Sequence, residues 1–298
     1  MSIKIAVVGN CQARPIAQLL QQMNPNIEVT TTAIVHLLKT EEEPQYAPFL
    51  EQSDMIIAQL VADNYPCEFV RSQNLRQKYG NKVDSIVNLY FSGYNPELRY
   101  VKLPGSGLLD GPLGAYHIQT VLDSWLEGAP TETAASRVES IEYNQKKYDG
   151  LSEKSLNDLR QREKNASVPI VDHIEANMSE RKLFFTFNHP SALLMQTMIQ
   201  RLLAQRGISI DSSAPPSVSK LLNEPLNVFT LPVNCYIAEQ MQLKFDNPPI
   251  YKGRDVTLEN NRVVPGGPKT FDLFSITQMF YQIYDANKDA LHSVYSVS

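Results

Sequence analysis

The chain has 298 residues, of which 43% are hydrophobic and 20% charged. That is enough apolar mass to bury a full core as one large domain or two smaller ones, and it excludes a disordered chain. A formal net charge of −5 excludes general nucleic-acid binding, which needs a basic excess. No stretch approaches the roughly 18 apolar residues of a membrane span. The three cysteines, Cys11, Cys67 and Cys235, are odd in number and far apart, which predicts reduced thiols in a cytoplasm and no disulfide frame.

Residues 3–8 have the length and Ile/Val content of a buried strand, and Ala13–Met23 carries Ile16, Ala17, Leu19, Leu20 and Met23 at helical spacing. Between them lies Gly9-Asn10-Cys11-Gln12. Further strands are predicted over residues 27–35, 55–61 and 83–91, with a helix over 66–79 between the last two. Strands alternating with helices predict an α/β fold with a parallel, doubly wound sheet and right-handed crossovers. Gly9 is followed by neither GxGxxG nor GK[ST], so a dinucleotide fingerprint and a P-loop are both absent.

The texture changes at Pro104. A loop rich in Pro and Gly leads to Pro112, which suits the first turn of a helix reaching about Leu126. Residues 131–148 and 152–164 read as solvated helices. Residues 183–187 form an aromatic extended segment that runs into Asn188-His189, and Pro190 is predicted to open a helix containing Leu193, Leu194, Met198, Leu202 and Leu203. Pro215-Pro216, Pro225, Pro232 and Pro248-Pro249 break residues 211–252 into short pieces of a wrapping loop or ligand cradle. Residues 271–284 read as a closing helix. The expected organisation is an α/β subdomain over 1–103 and a mainly helical region over 104–298, completing one cleft in one compact unit.

Cys11 sits where a strand ends and a helix starts, the place where open α/β sheets bind ligands. The unpaired N–H groups and positive dipole end of the helix predict a lowered thiol pKa. The same donors could instead hold a phosphate or an oxyanion. The competing reading is an ordinary Gly-Asn turn with an inert, packed thiol. A nucleophile needs a base, and His189, at a second extended-to-helix junction, is the first candidate. The competing reading is that Asn188-His189-Pro190 simply caps the following helix.

His173 is the second candidate, with its neighbour Asp172 able to act on His189. His117, on a predicted helix after Tyr116, reads as packed or capping. Arg14 opposes the dipole in the first turn, which makes it a candidate clamp for a phosphate or carboxylate. Lys252 and Arg254 could supply a second clamp or lie on a solvated loop. Ser92, Gly93 and Tyr94 follow the fourth strand and either line a ligand pocket or belong, with Asn95-Pro96, to an ordinary turn. The five histidines show no HExxH or other zinc spacing and no CxxC occurs, so no metal is expected.

Gly9-Asn10-Cys11-Gln12, the 91–97 segment Phe-Ser-Gly-Tyr-Asn-Pro-Glu and the 184–191 stretch ending Asn188-His189-Pro190-Ser191 resemble, together and in order, the acetyltransferase family of bacterial capsular polysaccharide biosynthesis. The resemblance implies a small parallel-sheet, Rossmann- or flavodoxin-like subdomain embedded in a mainly helical, cradle-like fold that binds coenzyme A. The implied reaction moves an acetyl group from acetyl-CoA to a sugar hydroxyl.

Its acceptor would be a sugar, nucleotide sugar or glycan, and other polysaccharide-assembly proteins would be its partners. On this view Gly9, Asn10 and Gln12 floor the coenzyme A cleft, and Arg14, Asn188, His189 and the Ser92-Gly93-Tyr94 loop complete it. His189 deprotonates the acceptor, while Cys11 either carries the acetyl group or sits beside the cofactor thiol. The backbone N–H groups of Cys11 and Gln12 and the Asn10 side chain would stabilise the oxyanion. The opening motif is also similar to the first block of SGNH hydrolases, with Cys11 in place of their serine. No Asp-x-x-His block follows near the C-terminus. Two alternatives stay open, an acyl hydrolase and a non-catalytic coenzyme A- or glycan-binding module.

Overall fold

The computed structural model describes residues 2–105, 107–210 and 224–295. The Pro215-Pro216 break lies outside the described residues. The chain falls into two compact units that alternate along the sequence. The first takes in Met1–Tyr90, Asn157–Asn177 and His189–Leu226, and the second Phe91–Leu156, Met178–Asn188 and Asn227–Ser298. A single division at residue 103 is therefore replaced by an interleaved one. Composition changes at Pro104, but the chain later returns to the sheet unit through apolar helix faces that a linear reading cannot assign to a partner.

The first unit is built on a four-stranded parallel sheet. Its strands are β1 (Ile3–Gly9), β2 (Ile27–Ile34), β3 (Met55–Gln59) and β4 (Val83–Ile86), in the order β2-β1-β3-β4. The central strands carry near-continuous apolar runs, as burial on both faces requires: Ile5, Ala6, Val7 and Val8 are at most 1% exposed, and every residue of β3 is buried. The edge strand β2 presents Glu28 and a half-buried Thr30-Thr31-Thr32 run.

Helix α1 (Ala13–Met23) has the bounds its spacing predicts, and it buries Ile16, Leu19, Leu20 and Met23. Helix α2 (Glu43–Gln52) precedes β3. The helix predicted over 66–79 is two pieces, a short 3-10 turn at Glu68–Val70 and α3 (Ser72–Tyr79). In the segment after residue 183, the chain stays extended through His189–Pro190. The helix then begins at Ala192, capped by Ser191, whose hydroxyl accepts from the Leu194 N–H at 3.3 Å. Ser191 thus takes the capping role considered for Asn188.

The second unit holds helices at Gln119–Leu126, Thr131–Glu139, Ile141–Tyr148, Cys235–Gln240 and Leu273–Ala286. Its core joins Val101, Trp125, Phe280 and Tyr284. The helix expected from Pro112 starts only at Gln119, because Tyr116–Ile118 pairs as a strand with Leu98–Tyr100. Residues 251–271, left unassigned by periodicity, form an antiparallel hairpin, Tyr251–Glu259 with Arg262–Phe271. Its loop, Asn260-Asn261, has φ of 50° and 62°, the left-handed geometry of a two-residue hairpin turn that asparagine tolerates.

Two buried groups in the second unit titrate in opposite senses. His117 is fully buried. The Leu109 carbonyl can only accept, so Nε2–H donates to it at 2.9 Å and Nδ1 accepts from the Tyr284 hydroxyl at 2.9 Å. Burial holds this neutral ring at a pKa of about 4. Its stability contribution is present above the ordinary histidine range and is lost as pH falls through about 4.

Glu97 is buried with Oε1 accepting from Asn95 Nδ2 at 3.2 Å, and burial pushes its pKa up to about 7. Its contribution is complete at low pH and is lost as pH rises from the unfolded-state value of 4.5 through about 7. Glu97→Gln mimics the neutral form. Its stability relative to the parent chain should therefore rise by about 3 kcal/mol between pH 4.5 and 7 in urea unfolding. A pH-independent difference would contradict this assignment.

Candidate functional site

The turn after β1 is fixed from beneath by two glutamines. Gln59, the last residue of β3, accepts the Asn10 N–H on Oε1 at 2.7 Å and donates from Nε2 to Gln12 Oε1 at 2.7 Å. Gln12 is completely buried; its Nε2 donates to the Leu89 carbonyl at 2.9 Å, and its Oε1 also accepts the Leu89 N–H at 3.3 Å. The end of β1, the end of β3 and the chain after β4 are thereby joined by side-chain amides. Gly9 is required for this, since a Cβ there would lie 2.6 Å from Gln59 Oε1. Above this floor, Asn10 Oδ1 accepts the Gln12 N–H at 2.9 Å, and the Cys11 Sγ–H donates to the same oxygen at 3.9 Å.

Two cavities open along the carboxyl ends of the four strands. One, of about 390 Å³, is lined by Gly9 at the end of β1 and Asn10 after it, His36 after β2, Gln59 at the end of β3 and Leu60 after it, and Asn88 after β4. The other, of about 690 Å³, is lined by residues 60–63, Ser72 and Arg76 of α3, Asn88, and Arg162 from the helix Leu151–Glu163. Both lie within the roughly 300–1,000 Å³ usual for ligand sites, and they share the wall formed by Leu60, Val61, Ala62 and Asn88. Asn88 donates from Nδ2 to the Leu60 carbonyl at 3.1 Å, while its buried Oδ1 has no hydrogen-bond partner among the described residues.

The residues expected to form the site separate into three groups. Gly9 and Asn10 line the smaller cavity, and Cys11 follows them, half-buried. The Cys11 thiol is corrected in sign: burial pushes its pKa up and outweighs the lowering by the backbone N–H groups of Cys11 and Gln12. Gln12 is corrected in role, because its side chain is consumed by the floor and its N–H by Asn10, so neither is an oxyanion donor.

Arg14 is exposed on α1 and lines neither cavity. Ser92, Gly93 and Tyr94 belong to the second unit as packing elements. The Ser92 N–H donates to Ser155 Oγ at 2.8 Å, the Gly93 carbonyl accepts from Ser152 Oγ at 2.7 Å, and the Tyr94 hydroxyl donates to the Met178 carbonyl at 2.7 Å. A Cβ at Gly93 would overlap the Phe91 ring at 2.0 Å. Asn188, also in the second unit, accepts from the Tyr116 hydroxyl at 2.6 Å and from Thr186 Oγ1 at 3.2 Å.

His189 is held near pKa 4 by burial, partly offset by a backbone hydrogen bond with Leu226. It is neutral at pH 7 and a weak base, and neither cavity includes it. Asp172 does not act on His189; both its oxygens accept from Arg201, at 2.6 and 2.9 Å. Arg254 stacks on the Phe229 ring, 4.8 Å from its centroid, and Lys252 pairs through its backbone with Thr230. The motifs do not single out His36, Gln59, Arg76, Asn88 or Arg162, all of which line the cavities. His36 was within reach of sequence reasoning, since it follows β2 as Cys11 follows β1.

A parallel sheet in the order β2-β1-β3-β4, with cavities along its carboxyl ends and a thiol-bearing turn after its first strand, is an open α/β architecture of the kind that binds ligands at strand ends. The chain belongs to the family described as polysaccharide biosynthesis enzyme WcbI, whose family model matches residues 4–210. It is similar to a solved structure of WcbI, described as a novel polysaccharide biosynthesis enzyme in its native form without a disulfide bond between coenzyme A and one of its cysteines. That likeness covers 99% of this chain and 100% of the other at 20% identity, with a TM-score of 0.71, and it carries the fold. The comparison with curated proteins finds no match. Among the described residues, no helix is long and apolar enough to cross a membrane, and no group of three or more His, Cys, Asp or Glu residues could hold a metal ion.

The floor has a direct test. Gln59→Leu keeps the apolar volume but strands the Asn10 N–H and removes the donor to Gln12, which should cost about 2–3 kcal/mol in urea unfolding. A loss under about 0.5 kcal/mol, the scale of an ordinary surface substitution, would contradict the assignment.

Proposed function

We propose that this chain is a coenzyme A-dependent O-acetyltransferase that moves an acetyl group from acetyl-CoA to a sugar hydroxyl during polysaccharide assembly, with a nucleotide sugar or glycan as acceptor. The observation that carries the reading is the cavity bounded by Gly9, Asn10 and His36 at the foot of the thiol-bearing turn, within the enzyme family just named. Acyl transfer from a thioester needs a base for the hydroxyl and a donor for the oxyanion. His36 supplies an imidazole on the cavity wall. Asn10 is fixed through its Oδ1, which leaves its Nδ2 amide as the oxyanion donor. The partnerless Asn88 Oδ1 suits an amide N–H of the pantetheine arm.

In this scheme the sugar oxygen attacks the thioester carbonyl while His36 takes its proton. The tetrahedral intermediate then collapses, the C–S bond breaks, and the proton returns to the departing coenzyme A sulfur. The burial that raises the Cys11 pKa keeps the thiolate scarce. That favours direct transfer over an acetyl-cysteine intermediate, since the thiolate is the nucleophile. It disfavours a cysteine hydrolase for the same reason. A cytoplasmic site of action accords with the donor and with three free thiols.

The test measures both binding and turnover. Coenzyme A or acetyl-CoA at millimolar concentration should raise the melting temperature, and acetyl transfer to a nucleotide sugar should release free coenzyme A. Cys11→Ala should retain turnover, whereas His36→Gln should lower kcat about 10²-fold. Absence of any coenzyme A effect would sink the reading, and binding without transfer to any acceptor would reduce the site to a binding module.

A further inference from the structure

The larger cavity carries two guanidinium groups that make no salt bridge among the described residues. Arg76 Nη2 donates to Ser85 Oγ at 2.7 Å and to the Asn165 carbonyl at 2.9 Å. Arg162 donates from Nη1 to the Asn88 carbonyl at 3.1 Å, from Nη2 to the Tyr90 carbonyl at 2.8 Å and from Nε to the Asp158 carbonyl at 3.3 Å. All five acceptors are neutral, so neither charge is compensated by an ion pair. The two arginines line one cavity with Ser72 and Gln73, the first residues of α3, whose helix end adds a positive field. Against them stands one exposed carboxylate at the same cavity, Asp63.

Two guanidinium groups bonded only to neutral acceptors on one cavity wall suit an anion. Five other arginines in this protein are matched with acids: Arg71 with Glu68, Arg137 with Glu127, Arg160 with Glu175, Arg201 with Asp172, and Arg206 with Asp84. Burial disfavours the charged form of Arg162 and pushes its pKa down, although the nearby Asp158 works the other way. A phosphate would accept charge-assisted bonds from the N–H donors that remain, which is the geometry at which arginine excels. The cavity meets the thiol-side cavity along Leu60, Val61, Ala62 and Asn88. A single ligand could therefore be apolar and amide-bearing at one end and phosphorylated at the other.

We propose that the Arg76–Arg162 cavity is a phosphate-binding subsite that takes the phosphorylated nucleotide end of coenzyme A, while the pantetheine arm runs past Asn88 toward Cys11. The placement of coenzyme A rests on the reading under the preceding heading; the affinity of the cavity for phosphate does not.

Calorimetric titration of the full chain separates the two. Coenzyme A, 3′-dephospho-coenzyme A, pantetheine, adenosine 3′,5′-bisphosphate and uridine diphosphate are titrated into the parent chain, Arg76→Gln and Arg162→Gln. Arg162→Lys serves as a charge-retaining control. The expected result is at least tenfold weaker coenzyme A and bisphosphate binding in each glutamine variant, unchanged pantetheine binding, a smaller loss in the lysine variant, and weaker parent-chain binding of the dephospho ligand.

Undiminished coenzyme A and bisphosphate binding in the variants would overturn the subsite, as would a pantetheine loss equal to that of coenzyme A. Bisphosphate binding that needs both arginines, without any coenzyme A binding, would uphold the phosphate subsite and overturn the coenzyme A reading. Uridine diphosphate binding tighter than the bisphosphate, with the same arginine dependence, would overturn the assignment of the subsite to coenzyme A. Failure of every phosphate ligand to bind the parent chain would overturn the subsite itself.

Discussion

Strand ends in a parallel sheet are not held by the sheet itself. Once the ladder of β1 and β3 stops, the next few residues must find other partners for their N–H and C=O groups. Here Gln59 and Gln12 supply them, and the segment after β4 is drawn in through both backbone groups of Leu89. A buried amide pair with its oxygens and nitrogens satisfied rigidifies its surroundings, and a half-satisfied one is worse than none. That explains the tight requirement at Gly9, where any side chain would displace Gln59. It also explains why three separate strand ends present a common cavity wall.

The same floor decides the chemistry of the thiol. A helix start with its dipole and N–H groups argues for a stabilised thiolate, and those groups do pull the Cys11 pKa down. But the turn is drawn inward by the glutamines, the thiol is shielded from water, and desolvation of the charged form is the larger effect. Cys11, next in sequence to the cavity-lining Asn10, is thus held toward the protonated, weakly nucleophilic form. His36 is exposed at the same cavity, whereas His189 is half-buried, lines neither cavity and has its pKa lowered to about 4 by desolvation. The division of labour follows from burial more than from residue type.

Much of the sheet unit could be read from the chain. β1 and β3 are short unbroken apolar runs, which only a doubly covered strand requires, and α1 has a clean helical stripe ending at Met23. The position of the Gly9-Asn10 turn at the cavity follows from that alternation. What was not legible depended on distant partners. Gln12 reads as a residue of the cofactor cleft until Gln59 and Leu89 take up its side chain beneath the turn. Arg162 reads as part of a solvated helix until its guanidinium reaches the carbonyls of Asn88 and Tyr90. The hairpin over 251–271 was hidden because Pro265, Gly266, Gly267 and Pro268 interrupt its second strand, which is largely exposed and therefore carries little alternation. The 91–97 motif marked a structural element, with Gly93 and Tyr94 packed inside the second unit.

The glutamine floor holds Cys11 protonated beside the smaller cavity, which coenzyme A occupies in the function proposed above. The most direct measurement is the rate of Cys11 alkylation by a small neutral reagent, followed by peptide mass spectrometry across pH, with and without coenzyme A. The expected result is slower modification at pH 7 than for a free cysteine, an apparent pKa above the ordinary thiol value, and protection by coenzyme A. Fast modification at neutral pH, or a rate that coenzyme A leaves unchanged, would contradict it.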